Sequence, residues 1–511
     1  MGAAVVALAP LAGVVWAALQ PGLADIAGRD IARYAATSGI LALGVAAATA
    51  VVGSLAAWLT AMHRFPGSGV FAWALALPLA APAFALAYAY AQLFDVAGPL
   101  RMWMRPSLGW DLAVQMRSVP GAIFVLTCAF YPYVFLAMRA AFLNQSTHPL
   151  EAARTLGCSP WRAFVRIALP LARPALAAGV ALAVMETLAD YGAVQFLSVQ
   201  SLTTGVVRAW SVYGSPASAA RFALPLLATA AFLLWLERWG RRGRGYESTH
   251  ARYRPLQPQV LTGWRAFAAT GFCLTLLTLA LILPVGFLLI RSLEIMPDWT
   301  RLLAAGARTL GMGGLGAGAT VILATLLALG AARLPVTSRL ASLGYATPGA
   351  VMAIGLLAPA ALLWKLSPGA VSGIGVGVAL LAYAYAARLM AAAVEPIEAG
   401  LSRITPAMIG AARSLGRSET GAALAIQLPV ARGALLTAAL IVFIDVLKEL
   451  PATLILRPFN FDTLAVLASN YANDERLPQA GWPSLMIILL ALPGVIWLTR
   501  KIAVSRPGTH P

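Results

Sequence analysis

Apolar residues fill this chain in runs of about 20, parted by short segments that carry most of its charge. Wound as a helix, such a run crosses a hydrocarbon layer about 30 Å thick. The runs lie near residues 2–19, 37–60, 70–94, 120–142, 171–194 and 222–239, then near 264–290, 309–331, 341–364, 370–391, 431–456 and 484–500. None shows the sustained alternation of a membrane barrel, and in lipid the backbone must bond to itself. The pattern predicts an all-α integral membrane protein with about twelve transmembrane helices. The opening stretch MGAAVVALAPLAGVVWAALQPG has no Lys or Arg ahead of its apolar run, so it reads as an uncleaved first span.

Composition agrees. Of 511 residues 60% are hydrophobic and 11% charged, with mean hydropathy +0.79, whereas a soluble chain carries about a quarter charged residues. A net charge of +18 would suggest nucleic acid in a soluble protein. Here the arginines flank spans as the positive-inside rule requires, and no nucleic-acid partner is expected. Cys128, Cys158 and Cys273 form no CxxC pair, and His63, His148, His250 and His510 are dispersed. No stable metal site is expected from them.

The most basic stretch, RWGRRGRGYESTHARYRPLQPQ, holds Arg238, Arg241, Arg242, Arg244, Arg252 and Arg254. It belongs on the cytoplasmic side, and with six spans on either hand both termini fall there too. The loops holding Arg64, Arg139, Arg154, Arg162, Arg166, Arg173, Arg333, Arg339, Arg403, Arg413, Arg417 and Arg432 share that side. The expected division is a first half at 1–240, a basic cytoplasmic linker at 241–262 and a second half at 263–511.

The halves repeat. EAARTLGCSPWRAFVRIALP (151–170) and GAARSLGRSETGAALAIQLP (410–429) share A-A-R-x-L-G and a closing L-P at the same spacing. The shift that carries position 152 to 411, 259 residues, also lays LPLARPAL (169–176) on LPVARGAL (428–435). It lays Glu186 on Asp445 and Asp190 on Glu449. Two tandem six-helix units in the same orientation follow, since an even number of spans per copy restores direction. Each half-polar stretch reads as a short helix across the inner face, with Pro170 re-aiming the chain into the next span. Its small residues leave one side open to close approach by a partner. A plain interfacial anchor is the alternative.

The pattern E-A-A-x-x-x-G, nine residues, then I-x-L-P resembles the signature of inner-membrane permeases of binding-protein-dependent ABC importers. Here it is Glu151, Ala152, Ala153, Gly157, Ile167, Leu169 and Pro170, and again Ala411, Ala412, Gly416, Ile426, Leu428 and Pro429, with Gly410 where the glutamate belongs. ETLADYGAVQFLSVQSLTTGVVRAW (186–210) and DVLKELPATLILRPFNFDTLAV (445–466) resemble segments of ferric-iron permeases with both halves fused. Fused permeases for thiamine or phosphonates share the architecture. The resemblance implies a bacterial inner-membrane protein that binds no cofactor, with ATP and Mg on two copies of a separate cytoplasmic ATPase. It also implies an extracytoplasmic substrate-binding protein. Glu151, Ala152, Ala153, Gly157, Gly410, Ala411, Ala412 and Gly416 would then meet the ATPases.

No GxxxxGK[ST] occurs, so this chain cannot cradle ATP phosphates itself. GMGGLG (311–316) mimics a dinucleotide fingerprint inside an apolar run, where close helix packing is its expected role. Glu186, Asp190, Asp445, Lys448 and Glu449 fall within spans, where a charge costs roughly 2.5–3.5 kcal/mol on insertion scales. They are candidates for a translocation path; structural pairing, with Lys448 neutralising a carboxylate, is the alternative. Carboxylates suit a hard trivalent cation, and a few of them favour passage over capture. A twelve-helix secondary transporter, using the same acids as proton relays, is the rival class. A membrane enzyme is a third, without a visible His, Cys or Ser constellation.

Overall fold

The computed structural model describes residues 2–21, 28–95, 98–108, 115–144, 158–241, 258–331, 347–366, 374–402 and 404–504. Their regular structure is helical apart from one parallel bridge pairing His63–Arg64 with Gln259–Val260. In the first half lie α1 (Gly2–Ala18), α2 (Gly28–Met62), α3 (Ser68–Ala74), α4 (Ala83–Leu93), α5 (Pro99–Leu108) and α6 (Val119–Asn144). There follow α7 (Arg173–Ala189), α8 (Gly192–Phe196), α9 (Leu202–Ser211) and α10 (Pro216–Arg241). The second half opens with α11 (Trp264–Leu277, continued through a π-helical turn to Leu293), α12 (Trp299–Ala331), α13 (Gly349–Leu366) and α14 (Ile374–Leu401). It closes with α15 (Pro406–Ser414), α16 (Leu428–Leu447), α17 (Pro451–Leu456), α18 (Leu464–Asn473) and α19 (Leu477–Val504).

Among the described residues eight helices are long and apolar enough to cross a membrane, or up to ten if each of two bent pairs is one span. The full expected twelve is not reached among these residues. The run at 70–94 divides where Ser68–Ala80 meets Ala83–Leu93 at 91°, and the run at 171–194 begins beyond a 75° bend. Two further runs yield only the shorter apolar helices Ala9–Ala18 and Gly349–Ala361. Proline accounts for the first break, since Pro82 cannot donate to the ladder and opens α4 instead.

Packing divides the chain into two compact units, and neither coincides with a half of the sequence repeat. One comprises residues 1–35, 201–231 and 297–471; the other comprises 36–200, 232–296 and 472–511. Each draws on both sides of the basic stretch.

In the first unit α12, α14 and α16 pack on one another, and α1 lies along α13. Gly13 and Gly355 make that last contact possible. A Cβ on either would fall inside the contact distance of a backbone oxygen opposite, Gly355 O for Gly13 and Pro10 O for Gly355. With no hydrophobic drive between helices in lipid, such backbone approach supplies the packing.

In the second unit α6 packs on α7 and α11 on α19. Trp58 at the end of α2 gathers Phe142 and Phe164 at centroid distances of 5.4 and 5.0 Å. Tyr131 donates to Leu75 O at 2.8 Å, tying α6 to the segment after α3. The strand bridge continues as Leu261 N donates to Arg64 O at 2.9 Å, so the end of α2 and the start of α11 share one side.

Candidate coupling helix and acid-capped helix breaks

The first copy of the repeated motif, Glu151, Ala152, Ala153 and Gly157, lies outside the described residues. The second forms α15. Thr405 precedes it in extended conformation and Pro406 occupies the first turn, where its missing N–H costs nothing. Gly410 and Ala411 are exposed and Ala412 is buried. Met408, Ala411 and Leu415, spaced i, i+3 and i+7, form an apolar stripe on the outside, with Leu415 83% exposed. A Cβ at Gly410 would meet nothing within 4 Å. Among the described residues no segment covers this surface.

Gly416 has a second role that its small size concealed. Its φ is +80°, in the left-handed region that favours glycine. Gly416 N–H donates to Arg413 O at 3.0 Å and Arg417 N–H to Ala412 O at 3.1 Å, the paired bonds of a Schellman stop. Helix α15 ends because this residue is glycine.

The closing L-P carries a structural signature too. Phe164–Ala168 and Ala423–Gln427 are π-helical turns, and each runs directly into Leu-Pro. The third π-helical turn, Thr278–Ile282, precedes Leu283 and Pro284 in the same way. A proline ring in a continuing helix presses on the carbonyl four residues back, and the wider turn relieves it. Pro170 was expected to redirect the chain. Yet its counterpart Pro429 lies within one continuous helix, Thr420–Leu447, while the 75° bend of the first copy falls between Leu171 and Arg173. The residue that differs is Pro174, in the first turn beyond the bend, where the second copy has Gly433. The redirection is assigned to Pro174.

Two of the candidate acids, Asp190 and Glu449, sit where each repeat interrupts its helix. Asp190 follows the last residue of α7, and its Oδ1 accepts from Ala193 N–H at 3.0 Å and Val194 N–H at 3.1 Å. Glu449 lies at the break after α16 and accepts from Ala452 N–H and Thr453 N–H, each at 3.2 Å. The 259-residue shift carries each donor of the first pair onto the second. Both acids cap the first turn of a short helix, α8 or α17, where four amides lack partners within the helix.

Glu449 does more. Arg388 Nη1 donates to its Oε1 at 3.1 Å, with side chains only 12% and 1% exposed. Thr453 Oγ1 lies 3.1 Å from Oε2 and 2.6 Å from the Tyr385 hydroxyl. Gly349 leaves room for the carboxylate, since a Cβ there would strike Oε1. The carboxylate is thus held by a cation, two amides and a hydroxyl. Asp445 and Lys448 pair one turn apart at 3.0 Å, both partly exposed. Glu186 is half-buried on α7. Arg388, Tyr385 and Gly349 were missed from sequence; Arg388, a lone cation inside the apolar run 370–391, was the available signal.

Comparison with known proteins accords with this anatomy. Residues 49–242 match the family of the binding-protein-dependent transport system inner membrane component. The chain is 25% identical to the Fe(3+)-transport system permease protein FbpB 2 of Haemophilus influenzae, over 88% of this chain and 86% of that protein. It is 32% identical to the sulfate transport system permease protein CysT of Escherichia coli over 29% of this chain, spanning about half (52%) of that relative. It is 28% identical to the molybdenum transport system permease protein ModB of Escherichia coli, over 36% of this chain and 81% of that protein. Over residues 49–242, therefore, the chain is similar to inner membrane components of binding-protein-dependent transport systems.

Proposed function

We propose that this chain is the transmembrane permease of an ATP-driven importer for ferric iron. The similarity to an Fe(3+)-transport permease over 88% of the chain carries the reading, because the sulfate and molybdenum relatives match only about a third of it. Two copies of a cytoplasmic ATPase grip the two E-A-A segments. At the second, the exposed stripe of Met408, Ala411 and Leu415 is the contact surface. ATP binding draws the ATPases together, the segments move with them, and the pathway opens outward to a loaded extracytoplasmic binding protein. Both termini lie in the cytoplasm, as does the basic stretch around 241–262.

Within the membrane the acids divide their work. Glu449 is committed to Arg388 and to the start of α17, so it holds the helix break. Glu186, Asp190, Asp445 and Lys448 retain partial exposure and are the groups a passing cation meets. The test is uptake into proteoliposomes carrying the chain with its ATPase and binding protein. Labelled ferric iron should accumulate only with ATP inside, and labelled sulfate, molybdate, thiamine and phosphonate should not. Accumulation of another solute in place of iron would overturn the cargo assignment, and ATP-independent uptake driven by a proton gradient would overturn the transport class.

A further inference from the structure

The loop between α17 and α18, residues 457–463, holds one aromatic side chain almost wholly in the open. Phe459 is 98% exposed. The loop around it is fixed at several points. Arg457 pairs with Asp462, and Arg301 of α12 reaches the same carboxylate at 3.4 Å. Arg308 lies over the Phe461 ring, 5.5 Å from its centroid. Leu464 N–H donates to Thr309 Oγ1 at 2.8 Å, pinning the start of α18 to α12. Asn460 takes a left-handed φ of +59°, which turns the chain at the tip. Asp298, at the start of α12, accepts from Arg301 N–H and leaves the arginines in the majority around the tip.

Such a tip is built to be met. A rigid loop that presents an aromatic side chain loses little conformational freedom on association, and buried aromatic anchors dominate interface energies. Position names the side from which the partner comes. The chain leaves α15, crosses through the 28 residues Thr420–Leu447, about 42 Å of helix, and turns into α17 before reaching the loop. Arg301 and Arg308 hold it against the opening turns of α12. With α15 at the ATPase face, Phe459 stands at the opposite, extracytoplasmic end. The corresponding loop of the first half, 197–201, is shorter, and its Leu197, Val199 and Ser201 are buried.

We infer that Phe459 is the anchor by which the extracytoplasmic binding protein docks on this permease, inserting into an apolar pocket with acidic residues at its rim. The inference rests on the importer reading and on the orientation proposed above; it deepens that reading by giving the docking to one half only.

The experiment uses the full chain with its ATPase and the affinity-tagged binding protein of the same system, in cells. A photoreactive benzoyl-phenylalanine replaces Phe459 in one variant and Gln200, exposed on the shorter loop, in another. Position 459 should yield an adduct with the tagged binding protein and position 200 should not. Phe459→Asp and Phe459→Ser should lower uptake by roughly tenfold or more, the loss expected on removing an interface anchor. Basal ATP hydrolysis and thermal stability should not change, and Phe459→Trp should retain uptake. Adducts with lipid alone, or normal uptake in both polar variants, would overturn the inference. The cargo reading fails separately: wild type that moves another solute, with the 459 adduct intact, removes iron and leaves the docking in place.

Discussion

Neutralising Glu449 separates a structural acid from a transporting one. Glu449→Gln keeps the side chain's shape and one oxygen for the amides of Ala452 and Thr453, but removes its charge. Arg388, 12% exposed, is then left with its guanidinium unbalanced. Breaking one partner out of a buried ion pair costs about 3–5 kcal/mol. For a folding unit of about 150–250 residues each kcal/mol moves the midpoint by about 2–4 °C, so a fall of about 6–20 °C is expected. The assay is the fraction of monodisperse protein surviving a heating series in detergent, read beside ATPase assembly and uptake. Arg388→Met should fall similarly, and the double variant by clearly less than the sum, since neither charge is then stranded. Asp445→Asn should cost less, because the Asp445–Lys448 pair is more exposed than the Arg388–Glu449 pair. An unshifted midpoint with uptake abolished would refute the reasoning and return Glu449 to the cargo.

Two further perturbations test the packing and the coupling surface. Gly355→Ala places a methyl against Pro10 O and should cost about 1–3 kcal/mol by overpacking α1 on α13, whereas Gly314→Ala, with open space around it, should be neutral or stabilising by thermal midpoint; equal midpoints would show that α1 does not clasp α13. At α15, Gly410→Trp together with Leu415→Asp should leave the protein inserted and stable but lower ATPase co-purification and uncouple hydrolysis from uptake, and unchanged coupling would remove that face as the contact. Gly416→Ala should instead destabilise by about 1 kcal/mol through its left-handed backbone, with coupling kept, in a heating series and transport assay.

Much of this was legible in the sequence. Runs of apolar residues showed the helical class, and the 259-residue register placed Asp190 and Glu449 at equivalent positions before any geometry was known. What periodicity could not show was where helices break. An apolar run reads the same whether it is one span or two pieces meeting at 91°, and only Pro82 marked the first break. Nor does composition say which partner an acid takes. Lys448 is adjacent to Glu449 in sequence, yet pairs with Asp445 three residues back, while Glu449 takes Arg388, 61 residues away. Helical spacing explains the first pairing and only tertiary packing supplies the second. Gly416 was read as a small surface residue because the pattern E-A-A-x-x-x-G says nothing of φ.

The two copies agree where the backbone demands it and differ where partners or rigidity are at stake. Both keep the π-helical turn before Leu-Pro, since the ring strain is the same in each. Both keep an acid that caps the half-helix after the break, since those amides have no other partner within the helix. At the position of Arg388 the first half has Ala129, and at that of Tyr385 it has Leu126. The cation and hydroxyl that lock Glu449 therefore have no counterpart there beside the shorter Asp190. Conversely, Pro174 bends the first copy where Gly433 leaves the second continuous, and Glu151 stands where the second copy has Gly410. Beyond α15, the unbroken helix Thr420–Leu447 leads to a break held by the buried Arg388–Glu449 pair. Beyond the first copy, a 75° bend precedes a break capped by Asp190. On the proposed coupling, the second ATPase stroke would move a stiff element and the first a jointed one.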